Sequence, residues 1–399
     1  MKKGWEVNKF GDVCDFVRGP FGGSLKKNIF KPQGYAVYEQ QHAIYNQFEE
    51  IRYFIDKNKF NEMKRFELNS GDLIMSCSGT MGKVAIVPDN IQKGIINQAL
   101  LKLTPSKHIS KDFLKLWIQS ESFQESLKAY SQGAAIQNVA SVKILKNIDI
   151  HLPPLPEQKR IVAVLDESFA ALAKAKENAE KNLENARELF ESVLEEIITN
   201  PKENWERKTL KEIATTFSRG RSKHRPRNEK KLYGGKYPFV QTGDIRNSNH
   251  YITQYTQTYS EAGLAQSKLW PKGTICITIA ANIAETGILG FDACFPDSII
   301  GLIVNPKIAN VDFVEFLLQS FKVYLQAKGK GSAQDNLNVG SFENEYFPIP
   351  SVPEQRSIVS KLNALSAETK KLETIYQQKL SDLEELKKSL LQKAFNGEL

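Results

Sequence analysis

Cysteine is scarce and scattered: the chain has four, Cys14, Cys77, Cys276 and Cys294, with no C-x-x-C spacing among them. That argues against a disulfide framework or a thiolate zinc site and fits a reducing, cytoplasmic setting. The five histidines, His42, His108, His151, His224 and His250, stand apart, and no H-E-x-x-H turn brings two onto one helix face. Apolar runs stay below the ~20 residues needed to cross a bilayer. Met1-Lys2-Lys3 is followed by Gly4-Trp5-Glu6 rather than an apolar stretch, so neither a signal peptide nor a membrane partner is expected. Phosphate-binding loops are missing too: Gly79-Thr80-Met81-Gly82-Lys83 has the wrong spacing for a P-loop, and no glycine-rich fingerprint opens a helix after a strand. The N-P-P-aromatic signature of amino-methyltransferases is absent, since Asn200-Pro201 and Asn305-Pro306 run into lysine. Glu62-Met63-Lys64 has the E-x-K spacing of a nuclease core, a triplet too common to define a site. These absences point to a chain that binds rather than catalyses.

What is present is an internal repeat, which must be found before any local reading. The 399 residues allow two to four domains, and 41% apolar with 25% charged residues is an ordinary globular composition. Pro156-Glu157-Gln158 recurs as Pro353-Glu354-Gln355, Trp5-Glu6 as Trp205-Glu206, and Asp112-Phe113 with Gln119-Ser120 as Asp312-Phe313 with Gln319-Ser320. Gly71-Asp72-Leu73-Ile74 matches Gly273-Thr274-Ile275-Cys276, and Gly133 and Asn138 match Gly331 and Asn336. The offset shrinks from 200 to 197 along the chain, as if a few residues were lost late in the second copy. The repeat predicts boundaries at 1–152, 153–200, 201–350 and 351–399: block, helix, block, helix.

Each block reads as α+β. Leu73–Ser76, Val84–Val87 and Ile95–Leu103 are predicted strands, and Asp112–Tyr130 is a predicted amphipathic helix capped by Ser110, as Asn310 caps its counterpart. Leu165, Phe169, Leu172, Lys176, Ala179, Leu183, Ala186, Phe190, Val193 and Ile197 follow spacings of four and three, a heptad seam running to Thr199. Leu362, Leu365, Thr369, Leu372, Tyr376, Lys379, Leu383, Leu386 and Leu390 repeat it, to about Phe395. A lone helix of this kind leaves its seam in water. The expected solution is that the two pair as an antiparallel coiled coil under an internal pseudo-two-fold axis, a rod of ~60 Å at ~1.5 Å per residue.

The net charge of +8 fits an anionic partner. Two basic loops recur at equivalent places: Arg18, Lys26, Lys27 and Lys31 in the first block, and Arg219, Arg221, Lys223, Arg225, Arg227, Lys230 and Lys231 in the second. Such cations beside a polyanion displace counterions, and the glycines Gly19, Gly22, Gly23 and Gly220 let the chain approach a phosphate backbone. Behind each loop lies a polar cluster, Gln40, Gln41 and His42 in one block and Gln241, Thr242, Asp244 and Arg246 in the other. Amides and guanidiniums of this kind read base edges, although strand-end turn residues look the same in a sequence.

In this order, twice over, the motifs resemble the specificity subunit of type I restriction–modification systems. The resemblance rests on Pro156–Val162 (Pro-Glu-Gln-Lys-Arg-Ile-Val), Pro353–Val359 (Pro-Glu-Gln-Arg-Ser-Ile-Val), the Gly71–Lys83 segment and Gln241-Thr242-Gly243-Asp244-Ile245, and it spans essentially the whole chain. It implies two target-recognition domains, each reading half of a bipartite site on double-stranded DNA, and helices that set the spacer and dock two modification (methyltransferase) subunits. S-adenosylmethionine is then expected on those subunits, ATP and magnesium on restriction subunits, and no cofactor on this chain. Thr80 and Lys83 join the expected DNA contacts, and Glu157, Gln158, Arg160, Glu354, Gln355 and Arg356 the expected subunit contacts. In the second block Ala281-Asn282-Ile283-Ala284-Glu285-Thr286 replaces Ser78-Gly79-Thr80-Met81-Gly82-Lys83, so its loop lacks the lysine. The alternative is a coiled-coil adaptor whose heads bind proteins, with the basic loops incidental.

Overall fold

The computed structural model describes residues 4–129, 141–224, 226–280, 283–330, 339–342 and 345–399. The chain divides into two units, Met1–Glu180 with Gln377–Leu399, and Lys181–Tyr376. Each unit thus combines a globular block with segments of both long helices, Leu155–Thr199 and Val352–Asn396.

In the first unit an antiparallel sheet runs in the order Cys14–Arg18, Leu100–Pro105, Leu73–Ser76, Val84–Ile86. A second sheet has Tyr35–Tyr38 between Phe54–Ile55 and Gly94–Ile96, pairing parallel with the latter. The expected strand Ile95–Leu103 is therefore two strands, one in each sheet. The break falls at Asn97, whose N–H bonds Tyr38 O and whose side chain accepts from Ala99 N at 3.0 Å. Helix Lys111–Gln119 packs Phe113, Leu116 and Trp117 onto the first sheet, its start capped by Ser110 Oγ accepting from Phe113 N. The expected single helix Asp112–Tyr130 is also two, because Ser120 turns to extended geometry and the chain restarts as Glu121–Ala129. Tyr130 lies outside the described residues.

The second unit repeats this plan. Its sheet order is Ala214–Arg219, Ile299–Val304, Ile275–Thr278, Thr286–Leu289, with Tyr251–Ile252 added in parallel at the edge. Helix Val311–Ser320 is capped by Asn310, as expected from the repeat. Glu6–Lys9 pairs antiparallel with Asp149–Leu152, and Glu206–Lys208 with Phe347–Ile349, so the Trp-Glu motifs lead equivalent strands that join the entry of each block to its exit.

The long helices run antiparallel inside each unit. In the first, Arg160 Nη2 donates to Leu399 O at 2.7 Å and Lys176 Nζ pairs with Glu384 at 3.2 Å. In the second, Arg187 meets Glu373 at 3.5 Å. Ala179, Ala186, Leu362 and Thr369 of the expected seam are buried and ion pairs flank it, as in a coiled coil, but Leu372 and Leu386, also expected there, are exposed. Both helices are anchored in the block cores: Ile161, Leu165, Leu391, Ala394 and Phe395 join one, and Leu194, Ile198, Ile358, Val359 and Leu362 the other. Among the described residues no helix is long and apolar enough to cross a membrane.

Candidate nucleic-acid interface

The basic loop of the first unit leaves the strand Cys14–Arg18 at a point where only glycine fits. Gly19 N donates to Leu100 O at 2.9 Å, and a β-carbon there would lie 1.8 Å from Asn97 O. Leu25 is buried and pins the middle of the loop, while Lys31 N bonds Phe54 O. Lys26, Lys27 and Lys31 are exposed, Arg18 is half-buried, and among the described residues none of these cations meets a carboxylate. Phe21, at the loop tip, is 91% exposed.

The second loop starts identically, with Gly220 N donating to Ile299 O at 2.8 Å. Here the cations are partly spoken for. Arg227 Nη2 donates to both carboxylate oxygens of Asp297 at 2.8 Å, Arg219 Nε donates to Asp297 O, and Lys231 pairs with Glu229 at 2.8 Å. Arg221 and Lys223 are exposed, and Arg225 lies outside the described residues. Three bonds to Asp297, one from Arg219 and two from Arg227, make these arginines staples that shape the loop, whatever else their guanidiniums touch.

The polar clusters divide by register. Helices Gln40–Tyr45 and Thr242–Arg246 both begin with a capping box, and its third residue is His42 in one and Asp244 in the other. His42 has no exposed surface; its Nδ1 accepts from Glu39 N at 2.9 Å and its Nε2 donates to Glu50 O at 3.2 Å. The expectation that His42 reads bases is corrected: both ring nitrogens are used inside the fold. Asp244 accepts from Gln241 N at 2.9 Å, which makes Gln241 the helix cap. Gln40 accepts from Ser78 N at 3.3 Å, so it braces the hairpin turn. Gln41, Thr242 and Arg246 keep accessible surface on these short helices.

That turn, between Leu73–Ser76 and Val84–Ile86, needs left-handed backbone at Gly79 and Gly82 (φ +62° and +73°). It presents Thr80 and Lys83 to solvent. In the second unit Ala284 takes the place of Gly82 at φ +63°, and Glu285 that of Lys83. The loops around Gly133–Asn138 and Gly331–Asn336 lie outside the described residues.

The glutamines of the two Pro-Glu-Gln motifs are the clearest correction. Gln158 Oε1 accepts from Ser110 N at 2.8 Å, and Nε2 donates to His108 O and Pro153 O, both at 2.9 Å. Gln355 does the same with Asn310 N, Ile308 O and Pro350 O at 2.6, 3.1 and 2.8 Å. Neither has any exposed surface. They lock the start of each long helix to the start of the block helix and offer nothing to another subunit. Their neighbours do reach the surface: Glu157 and Arg160 bond each other, Glu354 pairs with Lys202 at 2.7 Å, and Arg356 is exposed.

Sequence reasoning missed one cluster. His250, read as isolated, bonds Asp312 at 3.0 Å through Nε2 and buried Glu315 through Nδ1, and Tyr251 adds its hydroxyl to Asp312. Partners more than 60 residues away leave no local pattern. Burial opposes the imidazolium, yet the bonds to Asp312 and Glu315 prevail and raise His250 to about 9. Among the described residues no group of His, Cys, Asp and Glu is placed to hold a metal ion.

Two tandem α+β units, each with a basic loop, a short polar helix and a share of an antiparallel helix pair, define a repeated recognition architecture. A model of the type I restriction modification DNA specificity domain matches residues 2–183 and again 202–381, and the chain belongs to that family. Relatives include a putative type I restriction enzyme MjaX specificity subunit of Methanocaldococcus jannaschii, 24% identical over 99% of this chain and 93% of the relative. The EcoKI specificity subunit of Escherichia coli is 23% identical over 74% and 67%. The HsdS subunit of Thermoanaerobacter tengcongensis superimposes with a TM-score of 0.71 at 18% identity, covering 100% and 98% of the two chains. A chain from a study of complex assembly and conformational transition in a type I R-M system gives 0.77 at 19%, covering 100% and 99%. These likenesses bear on fold.

Proposed function

We propose that this chain is the DNA-recognition subunit of a type I restriction–modification complex, with each unit reading a different half of a bipartite site. The observation that carries the reading is the repeat itself: the same frame occurs twice, with different side chains at equivalent places of its short helix, Gln40 against Thr242, Gln41 against Gly243 and Ile44 against Arg246. Phosphate contacts fix register while base-edge contacts specify. Lys26, Lys27, Lys31, Arg221 and Lys223 suit the first role by their exposure.

The long helices set the spacer in this reading. At ~1.5 Å per residue a 45-residue helix is on the order of 65 Å long, near two duplex turns of ~34 Å. Apolar side chains left in solvent on them, Leu189 and Ile375 in the second unit and Leu386 in the first, support docking of two modification subunits. Those subunits bring S-adenosylmethionine; restriction subunits, with ATP and magnesium, complete the complex in the cytoplasm, and this chain recognises without catalysing. The test is a genome-wide map of adenine methylation in the host with and without the gene. A single motif of two short unlike halves and a fixed gap, lost on deletion, is expected; an unchanged map overturns the proposal.

A further inference from the structure

Inside the first unit a concave pocket of about 500 Å³ lies where the hairpin turn, the helix Lys111–Gln119 and the last turns of the second long helix meet. Four lysines, Lys83, Lys115, Lys387 and Lys388, line it, and no acidic side chain does. Among the described residues none of the four is in an ion pair; Lys387 Nζ lies 5.0 Å from the Phe169 ring centre instead. Like charges gathered without counter-charge raise the local potential and oppose the folded state until an anion arrives.

The second unit supplies an internal control. Lys83 N donates to Ser76 Oγ at 3.0 Å, and Glu285 N donates to Thr278 Oγ1 at 2.9 Å, so Glu285 stands where Lys83 does. Counting from the caps Ser110 and Asn310, Lys115 corresponds to Glu315. The two long helices match end to end at an offset of 197, which sets Lys387 and Lys388 against Phe190 and Glu191. Four lysines in one unit are therefore three glutamates and a phenylalanine in the other. Glu285 is tied to Lys322 at 2.8 Å, Glu315 is buried against Thr286, Gln319 and His250, and Phe190 packs on Phe316. One frame thus carries a self-neutralised junction in the second unit and an unsatisfied cationic one in the first.

We infer that the lysine pocket of the first unit binds backbone phosphates of duplex DNA flanking its half-site, an anchor the second unit lacks. The inference rests on the DNA-recognition reading above. Lysine ammoniums bind phosphate as point charges without fixing its orientation, which suits a backbone contact that carries no sequence information. The exposed Gln119 amide adds a neutral donor on the same wall.

The test uses the full chain and a fluorescent duplex, with affinity measured by anisotropy at several salt concentrations. Changing all four lysines to glutamine keeps their bulk and removes only charge; a control changes Lys159, Lys174, Lys361 and Lys370 in the same way. At ~0.9 per phosphate, the slope of log affinity against log salt should fall by about 2 to 4 in the pocket variant and by less than about 1 in the control. Equal slopes in the two variants overturn the pocket and leave DNA recognition standing. Failure of the unaltered chain to bind duplex overturns both. Binding of ATP, or of a polyglutamate peptide, that the pocket variant loses while its duplex slope stays intact reassigns the pocket and also overturns the inference. Equal melting temperatures exclude misfolding as the cause.

Discussion

Replacing Gln355 by leucine removes one side chain that closes three hydrogen bonds in a fully buried site. Leucine has similar bulk, so little packing is lost. What remains is an unpaired N–H on Asn310 and unpaired carbonyls on Ile308 and Pro350. An orphaned buried group costs about 1–3 kcal/mol, and local relaxation makes such costs less than additive, so a total of about 3–5 kcal/mol is expected. In a domain of roughly 200 residues each kcal/mol lowers the melting temperature by about 2–4 °C, giving a drop on the order of 10 °C. Gln355→Glu should be at least as damaging, because a carboxylate oxygen then faces two carbonyl oxygens. Differential scanning calorimetry of the full chain reads the effect, and Gln158→Leu should do the same through the first unit. A melting temperature within about 2 °C of the parent, together with lost subunit assembly, would refute the structural role and return both glutamines to the partner surface.

The His250 cluster makes stability depend on pH. An unfolded histidine titrates near 6.5, and the folded one near 9, so the protonated form is favoured by folding. Its contribution, of about 3 kcal/mol, is full below about pH 6.5 and is lost as pH rises through 9. Melting curves should show the parent losing more stability than His250→Leu between pH 6.5 and 9.5, and parallel losses would contradict the cluster's role. Changing Arg219, Arg221 and Arg225 together to alanine should weaken DNA binding across unrelated sequences and lower the salt slope by about 1–3. Anisotropy indistinguishable from the parent would remove this loop from the interface.

Much of the architecture was legible because it is periodic or repeated. The two long helices, the Ser110 and Asn310 caps and the doubled Pro-Glu-Gln motif all leave marks at short range, although Leu372 and Leu386, placed in the seam by spacing alone, are exposed. The failures share a cause, contacts made at long range or backbone geometry hidden in composition. His42 and Gln241 look like base readers because a capping box uses the same side chains as a recognition surface. Gln158 looks like a surface residue because nothing nearby shows that it reaches back nearly 50 residues to Ser110. Arg227 meets Asp297 70 residues on, which turns part of a basic run into scaffold. The repeats aligned by sequence set Thr286 against Lys83; the matching bonds of Lys83 N to Ser76 and Glu285 N to Thr278 shift that register by one, and the pocket around Lys83 needed the fold to bring the second long helix beside it.

The central claim is that each unit reads its own half of a split site. It is tested most directly by replacing residues 206–349 with the matching block of a relative and mapping methylated sites in a host carrying the hybrid. The account requires one half of the motif to change while the other half stays as it was. A map in which both halves change together, or in which neither does, would contradict it.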